Sequence, residues 1–67
     1  MGVSYNKLFK LLIDKKMKKK DLMQATGISP SSIAKLGKDE YVSLEVLVKI
    51  CEALQVDIGD IMEVTSR

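Results

Sequence analysis

Five times along the chain an apolar residue is followed, five positions later, by another, with a turn-forming or polar position directly after the first. The pairs are Val3/Leu8, Met17/Leu22, Ile28/Ile33, Val42/Leu47 and Val56/Ile61. This is the spacing of a hydrophobic staple, in which the residue before a helix cap packs on the fourth helical residue. The cap positions are Ser4, Lys18, Ser29, Ser43 and Asp57. Four of these side chains can accept an N–H bond from the first helical turn. Lys18 cannot, but Asp21 three residues on can reach back to it and suits the positive end of a helix. The pattern predicts helices at 4–16, 18–26, 29–36, 43–54 and 57–63.

Periodicity agrees. Tyr5, Leu8, Phe9, Leu12, Ile13 and Met17 fall at three- and four-residue steps on one stripe of the first helix, and Leu44, Leu47, Ile50, Cys51 and Leu54 on one stripe of the fourth. Pro30 directly after Ser29 stands at the first helical position, where a missing N–H costs nothing. Gly27 and Gly37 are placed to close the second and third helices. No strand is expected, and no Asn-Gly or Asp-Gly hairpin signal occurs. The expected fold class is all-α, five helices in one domain spanning 1–67.

Composition narrows the chemistry. At 67 residues the chain makes one small domain, and 46% hydrophobic residues suffice for one core. There is no His and only one Cys, which excludes a His-based triad, a Cys/His zinc cage and an internal disulfide. A lone thiol fits a reducing, cytoplasmic setting. The longest apolar runs, 11–13 and 46–48, are far too short to span a membrane. Net charge is only +2, yet it is split along the chain. Nine Lys against Asp14 and Asp21 leave residues 1–38 at +7, whereas Lys49 and Arg67 against seven acidic side chains leave 39–67 at −5. Such asymmetry predicts one surface for a polyanion and another for something else.

The informative stretch runs from Leu22 to Ile33. A helix of about two turns, a tight turn at Gly27 and a second short helix make a helix-turn-helix. Leu22, Ile28, Ile33 and Leu36 are spaced to bury its inside. The outward face of the second helix then carries Pro30, Ser31, Ser32 and Lys35, with Lys38 just past its end. Small and basic side chains of this kind let a helix enter a major groove about 12 Å wide.

Residues 19–38 resemble the helix-turn-helix of Cro/lambda-repressor-type (Xre-like) transcriptional regulators, through Leu22, Gly27, Ile28, Ser29, Ile33 and Leu36. The later positions Val42, Ser43, Leu44, Leu47, Ile50, Cys51 and Leu54, then Asp57 through Met62, are similar to that family's fourth and fifth helices. The resemblance covers roughly 4–63 and implies a compact lambda-repressor-like domain. Two positions depart from the pattern: Met23 stands where a small residue is usual, and Lys19 where a phosphate-bonding Gln is common.

The lysines at 15, 16, 18, 19 and 20 gather where the first helix ends and the second begins. Point charge and helix N-terminal amides together suit a phosphate there, Lys19 and Lys20 above all. The resemblance implies backbone contact at Ser43 too, with Lys38 and Tyr41 nearby, and base reading at Pro30, Ser31 and Lys35. Lys can pair with guanine O6/N7, Ser is promiscuous, and Pro offers only apolar contact. Ser29 and Ser32 serve capping as well as contact.

Other residues read as structure. Cys51, Tyr5, Phe9 and the methionines belong to the core or its edge, and Asp39-Glu40 to a solvated turn. The glycines form no phosphate-cradling loop, and no constellation supports catalysis, a metal or a cofactor. The expected function is sequence-specific binding of double-stranded DNA by a small transcriptional repressor without a small-molecule effector. The expected assembly is a homodimer joined through Ile58, Ile61 and Met62. The alternative is an antitoxin or antirepressor that uses the same fold on a protein, with the acidic half as its surface.

Overall fold

A computed structural model describes residues 2–65. Its elements are β1 (Gly2–Ser4), α1 (Asn6–Asp14), α2 (Lys19–Thr26), α3 (Pro30–Gly37), α4 (Leu44–Leu54), a 3-10 turn (Ile58–Asp60) and β2 (Glu63–Thr65). Among the described residues the domain is mostly helical, but with four α-helices rather than five. The fifth expected helix is the single 3-10 turn, and the chain after it is extended. β2 pairs antiparallel with β1 in the register Gly2↔Thr65, Val3↔Val64 and Ser4↔Glu63. The alternation Met62-Glu63-Val64-Thr65 is too short to predict a strand by itself, and its partner β1 lies far away in the sequence.

Helix starts follow the caps in part. Ser29 Oγ accepts from Ser32 N–H at 3.3 Å and Ser43 Oγ from Val46 N–H at 3.3 Å. Asp21 reaches back to the Lys18 N–H at 2.9 Å, and Asp60 does the same for Asp57 at 3.1 Å. Ser4 is not the cap of α1: it belongs to β1, and its Oγ accepts from Asn6 N–H at 3.3 Å. The cap position is Tyr5, whose N–H donates to Asp39 Oδ1 at 3.0 Å, so the start of α1 is capped from across the molecule.

Helix ends are set by left-handed residues. Gly27, at φ 75°, closes α2, with its N–H on the Met23 carbonyl at 2.7 Å. At this φ a side chain would be strained although a Cβ would meet nothing within 4 Å. Gly37 does not close α3 in this way: it is the last helical residue, and Asp39 takes the left-handed conformation at φ 56°. Lys16 (φ 58°) and Gln55 (φ 57°) do the same after α1 and α4.

The core joins every α-helix. Tyr5, Leu8, Leu12, Leu22, Ile28, Ile33, Leu36, Leu47, Ile50, Leu54 and Ile61 are all buried. Met23 packs half-buried at its edge, so a flexible side chain is accommodated where the helix-turn-helix crosses. Two stripe residues fail to go inside: Ile13 is 74% exposed and Leu44 64%. Each stands at the margin of its stripe, where periodicity alone cannot say how far the core reaches. Ile61 errs in the other direction. Expected at a subunit interface, it is 0% exposed and serves as core, while Ile58 and Met62 pack half-buried against that core. Among the described residues no helix is long and apolar enough to cross a membrane.

Candidate nucleic-acid interface

Burial of Ile33 and Leu36 fixes which side of α3 turns outward. On that side Pro30, Ser31, Ala34 and Lys35 are exposed, as is Lys38 at the C-cap. Ser29 is exposed at the N-cap and Ser32 is half-buried. The three serines form one cluster. Ser29 Oγ lies 2.9 Å from Ser31 Oγ and 3.2 Å from Ser32 Oγ. A hydroxyl has one proton and two lone pairs, so Ser29 can serve both neighbours while still accepting the Ser32 N–H. The helix therefore begins with its hydroxyls mutually oriented.

Lys19 and Lys20 are exposed in the first turn of α2. The Lys19 ammonium sits 5.4 Å from the centroid of the Phe9 ring on α1, a cation–π distance, and beside Gly37 at the end of α3. Lys19 thus brings the start of α2 next to the Gly37–Lys38 step, joining two sets of lysines that are far apart in sequence. A half-buried Phe with one face on the ammonium is a signal that composition could not supply.

Ser43, exposed at the start of α4, follows the loop that leaves α3. That loop is not the free solvated turn expected at Asp39-Glu40. The Tyr5 phenol, 1% exposed, donates to the Glu40 carbonyl at 2.7 Å, while Asp39 accepts the Tyr5 N–H. Both bonds run between the start of α1 and this loop, some 35 positions apart in sequence. They hold in place the segment that presents Lys38, Tyr41 and Ser43. Burial pushes the Tyr5 pKa up; a hydrogen bond from the Val42 backbone opposes this, and the charge of Asp39 adds to it. A buried phenol must find a partner, but the sequence does not say which.

The acidic half forms a different surface. Glu52, Asp57 and Asp60 line an open cleft with Cys51 between α4 and the 3-10 turn. Burial first, then Asp57 and Asp60, push the Cys51 thiol up, which keeps it protonated and unreactive near neutral pH.

The likeness to known proteins extends well beyond the helix-turn-helix. The family model of the Cro/C1-type HTH DNA-binding domain matches residues 7–66. The chain belongs to this family. The Cro/C1-type assignment agrees with the resemblance carried by Leu22, Gly27, Ile28, Ser29, Ile33 and Leu36. Among solved structures, the chain is similar to the crystal structure of the transcriptional regulator VanUg, at 59% identity and a TM-score of 0.93. The match covers 98% of this chain and 88% of that one. Among functionally curated proteins nothing matches. As a Cro/C1-type domain, the chain carries a DNA-binding fold of the kind used in transcriptional regulation.

Proposed function

We propose that this domain binds double-stranded DNA sequence-specifically, with α3 in the major groove, and acts as a transcriptional repressor in the form of a homodimer. One observation carries the reading: α3 buries Ile33 and Leu36 and offers outward Pro30, Ser31, Ala34, Lys35 and Gly37, all small or basic. In this reading Lys19, Lys20, Lys38 and Ser43 meet phosphates. Ser31 and Lys35 read base edges, Pro30 touches a thymine methyl, and Ser29 and Ser32 set the helix start and orient Ser31. The phosphate contacts supply most of the affinity, and the base contacts the selectivity. One short helix reads few base pairs, so a dimer on a near-palindromic site completes recognition.

Random-site selection on the purified protein, followed by titration of the selected duplex at several salt concentrations, tests the proposal. With roughly eight phosphates met per dimer, log affinity falls with log salt at a slope near −7, and Lys19→Ala or Lys20→Ala lessens it by about 1 per contact removed in each protomer. A flat salt response would overturn the reading and favour a protein partner.

A further inference from the structure

We propose that the outer face of α4, with Tyr41 at its foot, is the surface on which a second copy of this chain packs. This rests on the DNA-binding reading above, which needs two recognition helices on one duplex. The expected contact through Ile61 is closed, because that side chain lies wholly inside the core. Five large apolar side chains stay exposed among the described residues; Ile13 and Val64 stand apart on α1 and β2, whereas Tyr41 at 68%, Leu44 at 64% and Val48 at 42% exposure gather on α4 and the loop leading to it. Leu44 and Val48 are one helical turn apart and lie on the same side. Burying them in the monomer would need α4 to turn away from Leu47, Ile50 and Leu54, which already fill the core.

The charges beside this stripe fit a copy of itself. Glu45 and Lys49, both exposed, are also one turn apart. A twofold axis across α4, level with Leu47, runs the two helices antiparallel and sets Glu45 of one protomer opposite Lys49 of the other, twice over. The same axis brings Leu44 of each onto Val48 of the other, since both pairs share nearly the same midpoint along the helix. An isologous contact requires this exchange, in which residue i meets j and j meets i. The stripe also adjoins the proposed DNA footprint, because Tyr41 and Leu44 flank Ser43. Two protomers joined here keep both α4 starts close to one duplex.

Sedimentation equilibrium of the full chain, without DNA, tests the surface. The wild type is expected to reach a dimer by about 1 mM and Leu44→Asp to remain a monomer, with circular dichroism confirming that this exposed substitution leaves the fold intact. Glu45→Lys and Lys49→Glu should each weaken association roughly tenfold, as two exposed ion pairs become repulsive. An equimolar mixture of these two variants should regain it, because each then supplies the charge the other lacks. Recovery on mixing is not expected if the charges act only within one helix. A monomeric wild type, a dimeric Leu44→Asp, or no recovery on mixing would overturn the proposal. DNA binding is read separately on a random duplex: Val48→Asp, one helical turn further from Ser43, should also be monomeric and keep its salt-dependent affinity per protomer. Loss of salt dependence in the wild type would instead sink the DNA-binding reading while leaving the sedimentation result standing.

Discussion

The clasp between the start of α1 and the loop after α3 can be tested by removing one oxygen. Tyr5→Phe deletes a hydroxyl that donates at 2.7 Å to the Glu40 carbonyl and leaves a ring of nearly unchanged volume. No cavity forms, so the cost reduces to the hydrogen bond. A net contribution of about 1 kcal/mol is expected, because Glu40 is exposed and water can reach the freed carbonyl. For a domain of this size, that lowers Tm by about 4–8 °C. Asp39→Ala removes the acceptor at the N–H of Tyr5 and places Ala at φ 56°, for about 1–2 kcal/mol. Because both bonds tie the same two segments, the double variant should lose less than the sum of the singles by about 0.5 kcal/mol or more. The phenol adds a pH signature. Its folded pKa lies above the ordinary value of about 10, so the neutral form is favoured in the fold. That stabilisation is fully present below pH about 10 and is lost as pH rises through the folded pKa. Thermal melts followed by circular dichroism between neutrality and pH about 11 measure all of this. A Tyr5→Phe protein that melts with the wild type at neutral pH, or that shows the same alkaline loss, would refute the reasoning.

Lys35→Ala should cost about 1–3 kcal/mol on the selected site and relax preference at one base pair, as measured by competition between single-base variants; equal loss on random duplex would make Lys35 a phosphate contact. Gln55→Gly relieves a left-handed residue at the end of α4 and should raise stability by about 0.5–1 kcal/mol in urea unfolding, whereas a lower midpoint would mean that the side chain holds the turn. Ile61→Ala should destabilise by about 2–5 kcal/mol, enough to unfold much of a marginal domain; a folded, merely monomeric product would return Ile61 to an interface role.

The parts of this protein that could be read from its sequence are those whose causes lie within a few residues. A serine followed by Pro30, three positions before a residue whose N–H it accepts, is a helix start wherever it occurs. Gly27 at the end of an amphipathic segment is a helix stop for the same local reason. Leu22, Ile28, Ile33 and Leu36 therefore defined the helix-turn-helix, and with it the outward side of α3. The three-residue strands, by contrast, exist only because the two chain ends meet. The left-handed residue after α3 is Asp39 rather than Gly37, since Asp39 gains the Tyr5 N–H in exchange for its backbone strain.

The period of apolar positions determined four helices, their order and the buried side of each, and local capping the starts of α2, α3 and α4, because hydrogen-bond geometry and the 3.6-residue repeat act over one or two turns. Only the tertiary structure decided how far the core extends around each helix. It drew Ile61 inside and left Leu44 and Ile13 out, and it set the Lys19 ammonium over the Phe9 ring and next to Gly37 at the end of α3. It also turned an acidic loop into the cap of a distant helix. Those outcomes depend on which surfaces meet when the helices pack, and contact between residues far apart in a chain is settled by shape and by the polar groups that burial leaves in need of partners.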